Sequence, residues 1–160
     1  MTFSAHIETP LGTMLAVFSE QPAVKKLSFF LEDTKPSPLP AAMQTFADEI
    51  QQQLKQYFAG ILKTFSLPMA PEGTDFEKRT WALLLEIPWG TTTSYGEIAR
   101  KLGDPKLSRA VGRANGANPI AICIPCHRVI GASGDLTGYG GGLDKKKALL
   151  KIESPQRELF

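Results

Sequence analysis

Ile124-Pro125-Cys126-His127-Arg128-Val129 sets a thiol beside an imidazole, late in the chain, between an apolar run and a glycine-rich segment. The chain has two cysteines and two histidines, and Cys123, Cys126 and His127 are three of those four. Reading outward from Cys126, the flanking segments look like elements that bring something to this thiol.

Upstream of it, Ser94 and Glu97 have the spacing of a helix capping box, and a short helix then runs through Ile98, Ala99 and Leu102 to a stop at Gly103. Asp104-Pro105 supplies an N-cap followed by proline at the first helical position. A second helix continues through Leu107, Arg109, Ala110, Val111 and Ala114 and closes at Asn118-Pro119. Two short helices joined by a glycine-containing turn form a helix-turn-helix pattern. Arg100, Lys101, Lys106, Arg109 and Arg113 cluster on it, which suits either a DNA-binding unit or a solvated helical hairpin. Pro119 to Ile124 reads as a short buried strand or extended segment that delivers Cys126. Downstream, Gly131 to Gly142 carries many glycines around Tyr139. It is either a loop that lets backbone approach a ligand or a plain connector. Asp144 is expected to cap a last helix that runs to Glu153 and ends at Ser154-Pro155.

The first half of the chain has a different texture. Phe3 to Ile7, Met14 to Phe18 and Val24 to Phe30 read as three antiparallel strands, with turn chemistry at Thr9-Pro10-Leu11-Gly12. The proline-rich stretch from Lys35 to Pro40 cannot continue them. From Ala41 to Ala59 the apolar period lengthens. Met43, Phe46, Ile50, Leu54 and Tyr57/Phe58 mark an amphipathic helix that Gly60 stops. A proline-containing connector, Pro68 to Gly73, marks the lobe boundary. Thr74 and Glu77 form a second capping box, and Phe76, Thr80, Leu83/Leu84 and Ile87 make one face of the helix that follows, ended by Pro88. The fold class is therefore α+β. A sheet-and-helix lobe spans 1–73, and a mostly helical lobe with the active-site loop spans 74–160.

Composition limits the function classes. A hydrophobic fraction of 42% and a charged fraction of 21% are ordinary for a globular domain. A net charge of +2 provides no whole-molecule basic field, so any nucleic-acid surface must be local. No apolar run is long enough to cross a bilayer, and the first residues lack a signal-peptide pattern. A reduced, cytoplasmic protein is expected.

Cys123-Ile124-Pro125-Cys126-His127 matches C-x-x-C-H, the c-type haem attachment pattern, and contains a C-x-x-C. Each alternative lacks its context. Haem attachment needs an exported chain, and zinc needs a second ligand pair that this chain hardly has. A redox pair places its first cysteine at a helix start, whereas Cys123 ends an apolar segment and resembles a buried small hydrophobe. The remaining reading makes Cys126 a nucleophile, activated by a base or a positive environment. His127 is the nearest base in sequence, but in an extended segment neighbouring side chains diverge, so a turn or a bridging water is required. Glu153 is either the carboxylate that orients the imidazole or a solvated charge near the C-terminus.

These residues resemble the O6-alkylguanine-DNA alkyltransferase family. The likeness runs through Ser94-Tyr95, Ser108-Arg109-Ala110-Val111-Gly112, Asn118-Pro119, Pro125-Cys126-His127-Arg128-Val129, Gly138-Tyr139-Gly140-Gly141-Gly142-Leu143 and Glu153. It covers the chain almost continuously from about Thr74. The N-terminal lobe is similar to the family's ribonuclease H-like lobe, on less specific residues. The resemblance implies direct repair of double-stranded DNA that carries O6-alkylguanine, with O4-alkylthymine as a further candidate substrate. Cys126 would take the alkyl group irreversibly, once per molecule. His127, oriented by Glu153, would remove the thiol proton through a water. The nucleotide would be flipped from the minor groove. Arg109 would fill the vacated stack, Tyr95 would crowd the backbone phosphate with its hydroxyl near the base, and Ser94, Ala110 and Arg113 would lie on the DNA face.

Within the pocket, the resemblance implies that Tyr139 and the Gly140 N–H contact the base near O6, and that the Cys126 and Val129 carbonyls accept from its exocyclic amine. Asn118 would fix the turn before the active-site segment, Lys146 would lie near the pocket, and Asn115 would line it where some members carry a bulkier residue. No metal, no cofactor and no obligate protein partner are implied, and a monomer is expected. Similar proteins that bind the lesion without repairing it carry tryptophan at the cysteine position, and Cys126 argues against that class.

Overall fold

The computed structural model describes residues 1–31, 38–134 and 138–154. The first residues of the proline-rich stretch (35–37) and Pro155, the expected stop after the last helix, lie outside them. The chain divides into two compact units, Met1–Glu72 and Gly73–Phe160.

In the first unit, β1 (Thr2–Thr9), β2 (Gly12–Ser19) and β3 (Val24–Ser28) form an antiparallel sheet in that order, followed by α1 (Ala41–Phe58). Met14, Ala16 and Phe18 alternate along β2 and are fully buried. Phe18 meets Phe46 of α1 edge-to-face at 5.3 Å between ring centroids. The Gln51 side chain zips the helix to the sheet edge, accepting from Glu8 N at 3.0 Å and donating to Glu8 O at 2.9 Å. The third strand stops at Ser28, two residues short of expectation. There the Phe30 N–H turns back onto the Ser28 hydroxyl and leaves the ladder.

In the second unit, α2 (Asp75–Leu84) starts on a complete capping box between Thr74 and Glu77. Its buried face is Thr80, Trp81 and Leu84, so the expected face is turned toward Trp81. The indole Nε1–H finds the Ala114 carbonyl at 2.8 Å, which satisfies the ring's one polar atom inside the core. Next come β4 (Thr93–Ser94), α3 (Tyr95–Lys101), a 3₁₀ turn at Pro105–Leu107, α4 (Ser108–Gly116), a 3₁₀ turn at Cys126–Arg128, β5 (Val129–Ile130) and α5 (Leu143–Glu153). Only half of the Ser94–Glu97 capping box forms. Ser94 Oγ accepts from Glu97 N, while the Glu97 carboxylate pairs with Arg100 at 2.7 Å. Gly103 links α3 to the next turn at φ +104°, a conformation L side chains rarely adopt.

Two expectations are corrected near the thiol. Pro119 to Ile124 is a turn, not a strand. Ile124 N donates to Ile120 O at 3.0 Å, and Ile122 sits at φ +70°, a costly conformation for a β-branched residue. Asp144 lies inside the first turn of α5. The N-cap is Gly142 at φ +101°, so the chain enters this helix through a left-handed glycine rather than a side-chain cap.

Candidate active site

The site is built where several segments of the second unit meet. The parallel pairing of β4 with β5, Thr93 with Val129 and Ser94 with Ile130, ties the start of α3 to the residues just after the thiol. Asn118 pins the turn before it, donating to Ile124 O at 2.8 Å and accepting from Ile120 N at 3.0 Å. Asn115, in the last turn of α4, donates from Nδ2 to the Cys126 carbonyl at 3.3 Å. α5 contributes Lys146 and Glu153 from one face.

Cys126 and His127 are 6% and 0% exposed, and they sit in a 3₁₀ turn rather than an extended segment. His127 Nε2 is 2.6 Å from Glu153 Oε2, inside the core. Arg128 completes this arrangement. Its Nε and Nη2 donate to the two Glu153 oxygens at 2.7 and 3.0 Å, and its Nη1 donates to Ile87 O at 2.6 Å. This buried fork was not singled out as a functional element from the sequence. The available signal was an arginine embedded in a run of apolar residues, where only a paired guanidinium is tolerable.

The electrostatics follow from burial and partners. Burial raises the Glu153 carboxyl, but His127 and Arg128 outweigh it and bring it down to about 2. Glu153 is therefore an ionised acceptor, and the nitrogen facing it carries the proton. Burial also lowers the His127 pKa against the pull of Glu153, which favours the neutral ring. With Nε2–H given to the carboxylate, Nδ1 holds a lone pair, and Nδ1 is buried without a partner. Burial raises the Cys126 thiol, opposed by a hydrogen bond from Asn118 and by the charge of Lys146. Lys146 is fully buried, donates to the Val129 carbonyl at 2.7 Å, and is lowered by burial to about 8. Tyr139 is raised well above the phenol range by burial and by the charges of Cys126 and Glu153, and its hydroxyl is buried without a partner.

The other residues singled out from the sequence differ in exposure. Arg109 and Arg113 are exposed on α4, Ala110 is half-buried, and Ser94 and Tyr95 are half-buried at the start of α3. Tyr95 faces α4, where a Cβ built on Gly112 would stand 3.9 Å from its ring. Gly140 is exposed, with open space around any Cβ. Cys123 is buried, unbridged and pushed up to about 12 by burial. Among the described residues, no cluster of His, Cys, Asp and Glu could hold a metal ion. Nor is any helix among them long and apolar enough to cross a membrane.

A buried thiol, a neutral imidazole and an ionised carboxylate make a site for cysteine chemistry, and comparison with known proteins specifies which. Residues 75–155 match the DNA-binding domain of 6-O-methylguanine DNA methyltransferase. A methylated-DNA–protein-cysteine methyltransferase of Methanosarcina acetivorans is 49% identical over 94% of this chain and 97% of its own length. One from Mycobacterium bovis is 48% identical over 92% and 89%. The crystal structure of Mycobacterium tuberculosis O6-methylguanine methyltransferase superposes with a TM-score of 0.83 at 45% identity, covering 98% of this chain and 95% of that one. A Mycobacterium tuberculosis OGT solved in complex with DNA has a TM-score of 0.84 at 44% identity over 96% and 93%. The chain belongs to the methylated-DNA–protein-cysteine methyltransferases.

Proposed function

We propose that this chain repairs duplex DNA by moving the alkyl group of O6-alkylguanine onto Cys126, once per molecule. The observation that carries this reading is the His127 imidazole. One nitrogen is held by an ionised carboxylate, the other is a buried lone pair with no partner, and the residue directly follows a buried cysteine in the chain. That is the arrangement of a general base for a nucleophile. His127 Nδ1 takes the Cys126 proton through a water. Sγ then attacks the alkyl carbon. The S–C bond forms, the C–O6 bond breaks, and the electron pair returns to the purine, which takes up a proton. Lys146 and the Asn118 amide offset the burial that holds the thiol protonated. A thioether has no hydrolytic exit, so the protein is consumed.

The alkylated base must leave the duplex to reach a buried sulfur. We read α3, the Gly103 turn and α4 as a helix-turn-helix that enters the minor groove. Exposed Arg109 replaces the flipped base, Tyr95 crowds its phosphate, and Ser94, Ala110 and Arg113 face the backbone. In the pocket, Tyr139 and Gly140 N–H approach O6, while the Cys126 and Val129 carbonyls accept from the exocyclic amine. Asn118 holds the turn that presents them. In this reading, residues 74–160 bind DNA and transfer the alkyl group, and residues 1–73 form a ribonuclease H-like lobe. The protein acts as a cytoplasmic monomer, with O4-alkylthymine as a second candidate substrate.

The test is to mix the protein with duplex DNA containing O6-methylguanine and to weigh its peptides. One methyl group is expected on the peptide containing Cys126, at one equivalent per protein. Transfer that persists in Cys126→Ala would sink the assignment.

A further inference from the structure

We propose that Asn115 reads the 2-amino group of the alkylated guanine through its side-chain carbonyl oxygen, which makes it a specificity-determining residue. The inference rests on the guanine substrate proposed above. Asn115 is 5% exposed, and its Nδ2 donates to the Cys126 carbonyl at 3.3 Å. A backbone carbonyl can only accept, so the amide orientation is set and Oδ1 points away from that carbonyl. Oδ1 is buried and has no partner. A buried acceptor left unpaired is costly, which calls for a donor supplied from outside the fold.

Among the described residues, the buried side-chain nitrogen and oxygen atoms without a partner are Asn115 Oδ1, His127 Nδ1 and Tyr139 Oη. Two of the three belong to residues tied to Cys126, since Asn115 bonds its carbonyl and His127 follows it in sequence. Matching the three to the substrate favours one assignment. O6-alkylation removes the N1 proton of guanine, so its exposed edge offers an acceptor at N1 and a donor at the 2-amino group. Tyr139 Oη can donate toward the acceptor, and His127 Nδ1 is used by the thiol proton. The Asn115 amide oxygen is acceptor only and fits the amine. The two backbone acceptors proposed for that amine each receive one hydrogen bond, Cys126 O from Asn115 and Val129 O from Lys146, and keep one lone pair for it. Asn115 Oδ1 has both lone pairs open.

Single-turnover transfer is measured on duplexes carrying O6-methylguanine or O6-methylhypoxanthine, which lacks the 2-amino group. The native protein is expected to prefer the guanine. Asn115→Leu should shrink that preference by about three- to tenfold, the worth of one neutral hydrogen bond. Asn115→Asp keeps an acceptor at this position, loses the donor to the Cys126 carbonyl, and should retain the preference. Asn115→Ala reads the same ratio without demanding space if the leucine variant does not fold. Equal losses on both substrates, or a preference that collapses in Asn115→Asp as it does in Asn115→Leu, would overturn the proposal and leave Asn115 as a brace for the Cys126 peptide. A native protein that methylates from neither duplex refutes the functional reading instead.

Discussion

His127 Nε2 lies 2.6 Å from Glu153 Oε2, and the same carboxylate receives Arg128 Nε at 2.7 Å, with all three side chains buried. One carboxylate therefore orients the imidazole and neutralises the guanidinium that fastens the active-site turn to α5. Glu153→Gln keeps the shape but leaves Arg128 buried without a counter-charge, a loss of about 3–5 kcal/mol. The unfolding temperature should fall by about 10 °C. Transfer should slow by on the order of 100-fold as the imidazole loses its tautomer and orientation, while affinity for DNA is retained. An unchanged transfer rate would remove Glu153 from the mechanism.

Acid should weaken this centre in a defined window. The folded Glu153 pKa of about 2 lies below its ordinary 4.5, so its contribution is complete above pH 4.5 and drains away as pH falls toward 2. His127 is lowered from 6.5, so the unfolded chain protonates there first and stability begins to decline below pH 6.5. Both slopes have the same sign. Urea unfolding between pH 7 and pH 3 should show decreasing stability, with the part below pH 4.5 flattened in Glu153→Gln. Stability that rises in this range would contradict the ion pairing.

Arg109 is exposed on α4. If it fills the space of a flipped base, Arg109→Ala should impair transfer from duplex DNA far more than reaction with free O6-benzylguanine. Single-turnover rates on the two substrates give the comparison. Equal losses would mean that Arg109 supports the site rather than the flip.

Cys123 is three residues from the nucleophile, yet burial pushes its thiol up to about 12. Burial disfavours its thiolate, and we propose no nucleophilic role for it. Cys123→Ala should transfer one methyl per protein at the native rate, with a stability cost of about 1 kcal/mol from the lost packing. A halved methyl stoichiometry would show that Cys123 also accepts alkyl groups.

Gly73 sits beneath the indole of α2, where an added Cβ would stand 2.5 Å from Trp81 Cη2 and 2.9 Å from Glu77 Oε1. Gly73→Ala should therefore cost about 1–3 kcal/mol through overpacking, read as a lower urea midpoint with unchanged slope. A neutral effect would mean that the Trp81 ring has room to move.

Much of the fold could be read from local pattern, because caps and periodicity act over three or four residues. The Thr74–Glu77 box, the Asp104-Pro105 start and the stops at Gly60 and Gly103 all declared themselves this way. Misreadings arose where backbone geometry overrode composition. Pro119 to Ile124 is apolar and β-branched, hence its extended reading, yet the Asn118 amide bends it into a turn that holds Ile122 at positive φ. Asp144 had the right residue type for a cap, but Gly142 takes that place.

At the active site the division is similar. The order of residues around Cys126 and His127 pointed to a candidate nucleophile, its candidate base and the family resemblance, because residues adjacent in sequence stay near each other however the chain folds. Whether Glu153 is a solvated charge or the partner of His127 depended on where α5 comes to rest, 26 residues along the chain. The same packing buries Arg128 and Lys146 and leaves Asn115 Oδ1 unpaired. Such outcomes require distant segments to be packed together, since burial and pairing are properties of the assembled core.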